Sequence, residues 1–227
     1  MKGISTSDIF VNNLESNNSK EIIKSIKDLL KLKNQFDIRD LLKQNTNAIN
    51  NLLAIENEEI LERICWLIGV FNDIDSFGTL LPSLFRLINH TNYKVRKNAI
   101  FAIGRIGRIN TDIITPYLKG IIDKSSDEHP EVRHSVIWAC ENIANSSPDL
   151  FIPYIEVFEK LLKDSDIKYV RREAPEIFRV IAKKRPEIVE RSIELLKECI
   201  NDEDIVVSLH SKGVLKLIDK YNNSGVL

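Results

Sequence analysis

Few of the 227 residues combine type and spacing in a way that could do covalent chemistry. The four histidines are His90, His129, His134 and His210, and only His129 and His134 lie close together. They are five apart, which places them on different faces of a helix, and no carboxylate spacing joins them into a metal-ligand set. The run "GRIG" from Gly104 sits inside a helical pattern, where it cannot form the phosphate-cradling loop of a nucleotide site. No serine has a recognisable nucleophile setting, and Cys140 falls at a core position. What remains is Trp66, Phe101 and Trp138, three large rings, with the carboxylate of Glu141 beside the third. Rings of this kind anchor partners or stack on bases. The expectation is a binding surface with no catalytic residue, no metal and no cofactor.

These residues sit on a repeating framework. Helical spacing of apolar residues recurs in "ILERICWLIGVFN" from Ile60, "VRKNAIFAIGRIG" from Val95, "VRHSVIWACENIA" from Val132, "VRREAPEIFRVIA" from Val170 and "VVSLHSKGVLKLI" from Val206. The starts are 35, 37, 38 and 36 residues apart, which is a period. Amphipathic first helices precede four of these, in "GTLLPSLFRLINH", "DIITPYLKGIIDK", "DLFIPYIEVFEKLLKD" and "PEIVERSIELLKECI". Pro82, Pro116 and Pro153 fall in their opening turns, where a missing N–H matters least. Polar breaks such as "NHTN", "KSSDEHPE", "KDSD" and "NDED" supply Asn and Asp as helix caps. Upstream, "NSKEIIKSIKDLLKLKNQ" reads as an opening helix with Ser19 as its N-cap, and "FDIRDLLKQ" as a short second one.

A proline-containing first helix, an Asp or Asn turn, then V-R-x-x-A and a small residue near the end of the second helix resembles the HEAT repeat. The match is good in "LLPSLFRLINHTNYKVRKNAIFAIGRIG" and in "DLFIPYIEVFEKLLKDSDIKYVRREAPEIFRVIA". It departs in the last unit, with Val207 in place of Arg, and in residues 1–45, which match no complete repeat. The resemblance implies an all-α, right-handed α-α superhelix of about five helix pairs plus an N-terminal helical cap. Residues 1–45 are the cap, the pairs span about 46–73, 76–108, 111–145, 148–184 and 186–222, and 223–227 are a frayed tail. The repeat physics agrees, since one pair cannot cover its own apolar face and neighbours must stack. Family arginines tie adjacent repeats to turn acids, which implies a structural role for Arg96, Arg133 and Arg171, with Asp164 and Asp166 as partners of Arg171.

Rotating about 100° per residue from the first Val or Ile of each second helix places offsets 0, 4, 7, 8 and 11 in the core. Offset 6 lies near the opposite face and is held by Trp66, Phe101, Trp138, Glu176 and Lys212. In the family that face lines the concave wall, where a polar residue is usual. The rings therefore predict a partner-binding groove, flanked by Lys97, Arg105, Arg108, Glu141, Arg172 and Lys183. Gly69 and Gly104 beside the rings would leave open backbone for a close-fitting ligand. The competing expectation is that tight curvature buries offset 6 as packing.

The net charge of −1 lowers the expectation of a dedicated duplex-DNA module. No run reaches the length of a membrane span, and no secretory signal opens the chain. Cys65, Cys140 and Cys199 are odd in number and far apart, which fits buried thiols in a cytoplasmic protein. The leading expectation is a non-catalytic adaptor or scaffold that grips a protein segment on its concave wall, with the groove's cations suited to an acidic one. The alternatives are nucleic-acid binding in that groove and self-assembly through an end face. The first includes alkylpurine DNA glycosylases built on HEAT-like repeats, whose concave aromatics and acid Trp66, Phe101, Trp138 and Glu141 loosely resemble.

Overall fold

A computed structural model describes residues 13, 14, 16, 18–31, 35–72 and 75–223. Among these residues every regular element is helical. The chain opens with α1 (Ser19–Lys31), α2 (Gln35–Gln44) and α3 (Thr46–Leu52), followed by α4 (Glu58–Val70). Then come α5 (Leu81–Leu87) and α6 (Tyr93–Ile109), α7 (Leu118–Ile122) and α8 (Pro130–Ala144), α9 (Ile155–Leu161) and α10 (Ala174–Ala182), and α11 (Ile193–Cys199) and α12 (Ile205–Asn223). The second helices are thus α4, α6, α8, α10 and α12. The chain divides into two compact units, Met1–Ile109 and Asn110–Leu227.

In the first unit α4 packs between α1 and α6, and α5 lies on α6. In the second, α10 packs on both α8 and α12, and α11 lies on α12. Offsets 0, 4, 7, 8 and 11 of α4, α6 and α8 and of the α10 segment are all buried, from Ile60, Val95, Val132 and Val170 onward. The last helix is different. Val207, Ser211, Val214 and Ile218 face inward, whereas Val206 and His210 do not reach the core. Its register therefore begins at Val207, one residue later than the sequence pattern suggests. "VVSLH" offers two adjacent valines, and only packing against α10 chooses between them. Offset 6 there is Gly213, not Lys212, and a β-carbon at Gly213 would meet nothing within 4 Å.

The first helices are not continuous either. From the second pair on, each begins with a 3-10 turn, at Asp75–Leu80, Thr115–Tyr117, Pro148–Tyr154 and Pro186–Ser192, before a short α-helix. In the last three, proline at the start of the turn removes an N–H and favours the tighter opening. The fourth second helix is also interrupted. Ile167–Arg171 forms a π-turn in which Arg171 N and Arg172 N donate to Asp166 O and Ile167 O, at 2.9 and 3.1 Å. Pro175, buried two residues into α10, cannot donate to the turn before it, so the helix enters through this wider loop.

Caps come mostly from the polar breaks. Asn57 accepts from Ile60 N, Asn92 from Lys94 N, Asp166 from Tyr169 N and Asp204 from Val206 N, at 3.1, 2.9, 2.7 and 2.9 Å. His129 Nδ1 does the same for α8, accepting from Glu131 N at 3.3 Å. At α1 the capping side chain is Asn18, which accepts from Lys20 N at 3.1 Å, and not Ser19, which is already the first helical residue. The end of the chain stays helical through Asn223, and residues 224–227, like Asp73, lie outside the described residues. Cys65, Cys140 and Cys199 are buried free thiols, and burial pushes the first two well above the ordinary thiol range.

Candidate partner-binding faces

In the first unit, α4 and α6 bring Trp66 and Phe101 together. Their ring centroids are 4.6 Å apart with planes tilted by 15°, an offset face-to-face stack. Trp66 is the outer member, 43% exposed, and Phe101 is half-buried. The inner ring also explains Gly69. A β-carbon there would lie 2.2 Å from Cε1 of Phe101, so the glycine exists to admit that ring. The backbone at Gly69 is consequently covered by the protein's own side chain, not left open to a ligand as its sequence position suggests.

Below the rings, Asn72 and Arg105 lock α4 to α6. Asn72 Nδ2 donates to Arg105 O at 3.2 Å, and Arg105 Nε donates to Asn72 Oδ1 at 3.2 Å and Gly69 O at 3.4 Å. Asn98 Nδ2 adds a bond to Glu62 O at 3.0 Å. Sequence reasoning missed these asparagines. Their signal was spacing, since each bond joins residues one repeat apart. Lys97 is half-buried and Arg108 exposed on the same helix.

In the second unit, Trp138 is half-buried on α8, and Glu141 follows one turn later. Glu141 Oε1 is shielded from water without a hydrogen-bond partner. Burial, reinforced by the charges of Glu173 and Glu176 and opposed by Arg179, pushes its carboxyl up to about 8. Glu176 at offset 6 is itself ion-paired, accepting from Arg179 Nε at 2.6 Å. Arg172 grips Asp204 through Nη2 and Nε, at 2.7 and 3.1 Å, so its charge is satisfied within the chain. Its carbonyl lies 2.8 Å from His210 Nδ1. Lys183 is exposed.

The recurring arginines sit at the turns. Arg96 is buried, and its Nη1 donates to His90 O and Thr91 O at 2.9 and 2.7 Å. Arg133 Nε and Nη2 grip both oxygens of Asp164, at 2.8 and 2.7 Å. Arg171 pairs with Asp202 at 3.2 Å and Glu203 at 3.1 Å. Asp164 therefore serves the arginine of the preceding repeat. Arg133 and Arg171 each reach forward to the next turn, whereas Arg96 holds the turn before its own helix, and Arg171 touches only the carbonyl of Asp164, at 3.5 Å. Asp166 caps the π-turn instead of pairing.

Among the described residues, no group of three or more His, Cys, Asp or Glu could hold a metal ion, and no helix is long and apolar enough to cross a membrane. A family model for the HEAT repeat matches residues 80–109. No curated protein matches the chain. Solved structures share its fold at low identity. A crystal structure of an engineered protein matches with a TM-score of 0.75 at 17% identity, covering 95% of this chain and 97% of that one. A designed armadillo repeat protein in complex with the peptide (KR)4 gives 0.71 at 20%, covering 92% and 98%. An archaeal HEAT-like repeats protein from Thermococcus onnurineus NA1 gives 0.69 at 12%, covering 93% and 86%.

Proposed function

The chain is a helical repeat protein of the HEAT and armadillo-like fold, with residues 80–109 a HEAT repeat, and on that premise we propose a non-catalytic scaffold that binds a protein segment. The observation that carries this reading is the Trp66–Phe101 stack. A tryptophan 43% exposed, held flat against a second ring, is a rigid apolar platform with little side-chain entropy left to lose. That a designed armadillo repeat protein of similar fold was solved with a peptide bound supports the class of partner.

Within the first unit, Trp66 is the anchor, Phe101 its support, and Lys97 and Arg108 orient the segment. On the second unit, Trp138 and Lys183 are a contact of their own. Arg105 and Arg172 stiffen the framework through acceptors in their own chain, which leaves them little charge to offer a partner. Glu141 gives the second unit a protonated carboxyl at neutral pH. No enzymatic step is assigned to it.

The test is selection of random extended peptides, displayed on phage, against the full chain. Enriched peptides should lose about tenfold or more in affinity on Trp66→Ala, an anchor-sized loss. Equal binding to the variant, or no enrichment, would remove the platform reading. Release of alkylated bases from DNA that disappears in Glu141→Gln would overturn the non-catalytic assignment.

A further inference from the structure

A separate surface lies on α11 and α12, in the second unit. Cys65 and Gly69 of α4, and Asn72 just past its end, are covered by α6: the cysteine is buried, Phe101 lies over the glycine, and Asn72 holds Arg105. With the register of α12 starting at Val207, the equivalent positions there are Lys212, Lys216 and Asp219, and all three are exposed. The same stripe continues one and two turns toward the start of α12, through Leu209 at 58% and Ile205 at 71% exposure. Beside it, a cleft of about 470 Å³ between α11 and α12 is lined by Ile193, Ile200, Leu215 and Ile218 and by three lysines, Lys197, Lys212 and Lys216, against one acid, Asp219. Lys212 and Lys216 make no ion pair among the described residues, whereas most of the buried or half-buried cations of this unit are already matched with acids.

We propose that this face docks an amphipathic helix of a partner protein whose polar flanks are acidic. Its apolar stripe covers Leu209, Leu215 and the apolar lining of the cleft, as α6 covers α4. Its carboxylates meet Lys212 and Lys216, which otherwise set two like charges one turn apart on the same stripe. Charge decides against a second copy of the chain as occupant. The same face would set lysine against lysine, and the opening helix α1 offers Lys20, Lys24, Lys27 and Lys31 against only Glu21 and Asp28. Electrostatic complementarity of this kind chooses the partner more than it sets the affinity.

The experiment uses the full chain and a phage library of amphipathic helices with a fixed apolar stripe and flanks of Glu, Gln or Lys in equal proportion. Glu-flanked helices should be enriched. Their affinity should fall about tenfold on the double variant Lys212→Glu/Lys216→Glu, and should fall as salt rises. Both lysines are exposed, so circular dichroism of that variant should match the wild type. The same helices should bind Trp66→Ala undiminished, which separates this face from the aromatic platform. Enrichment of Gln- or Lys-flanked helices, no enrichment, or equal binding to the double variant would overturn the proposal. So would a concentration-dependent mass in light scattering that Leu209→Ser abolishes, which would give the face to a second copy.

Discussion

At the residue scale, two residues invert the ordinary expectation for their type. Glycine to alanine inside a helix normally gains about 1 kcal/mol. At Gly69 the new methyl would drive into Phe101, whose ring is stacked on Trp66, and would crowd the backbone of Ala102 at 3.3 Å. Gly69→Ala should therefore destabilise by about 1–3 kcal/mol, as overpacking does, in urea denaturation. Adding Phe101→Ala should relieve much of that loss, a coupling that only a direct contact produces. Glu141 is the second case. An unfolded glutamate ionises near 4.5, but here ionisation waits until about 8. Between those values the folded state keeps a proton that the unfolded state has released, so the contribution of Glu141 to stability falls as pH rises and levels off above the window. Wild type and Glu141→Gln should have similar urea midpoints near pH 4 and should separate progressively up to pH 8, with the variant the more stable. A gap independent of pH would mean that the carboxyl is solvated.

At the scale of elements, the inter-repeat arginines differ from the surface ion pairs around them. Arg133 and Asp164 are 13% and 11% exposed and join residues 31 apart, whereas Arg63 and Glu59 lie on one helix with the glutamate 50% exposed. Arg133→Ala should cost about 3 kcal/mol, since it strands a mostly buried aspartate. Arg63→Ala should cost less than about 0.5 kcal/mol. Thermal or urea unfolding of both variants checks the contrast. These elements also show what a sequence can and cannot disclose. The period, the five second helices and the buried offsets of the first four were legible, because apolar spacing is a property of each helix alone. The partner of Arg171 was not. "KDSD" offers two aspartates near it in sequence, and only stacking assigns Asp164 backward to Arg133 and Asp202 to Arg171. The π-turn before α10 was announced by Pro175, a proline far enough inside the pattern that continuity of the helix should have been doubted. Of the candidate site, the angular position of the rings was readable, but not that one ring would be the other's support.

At the scale of the whole molecule, 32 basic and 33 acidic side chains nearly cancel. The larger-scale pattern in the second unit is acid against arginine across repeats, as in Arg133–Asp164, Arg171–Asp202 and Arg172–Asp204. Charges neutralised inside the chain release no counterions from a phosphate backbone. Fluorescence polarisation with a labelled DNA duplex should accordingly show negligible binding at physiological salt, and little steepening as salt is lowered. Strong, steeply salt-dependent binding would point to nucleic acid as the partner. The seating of Phe101 on Gly69 bears on how such a chain can change over time. A ring on one repeat requires a void on the repeat before it, so neither residue can be inherited alone. Duplicating or excising a stretch between them would separate lock from key, and an exchange that carries the aromatic together with its upstream glycine is the one that keeps the full stability of the contact. Between α4 and α6, the unit of heredity is therefore the junction between two repeats rather than the repeat itself.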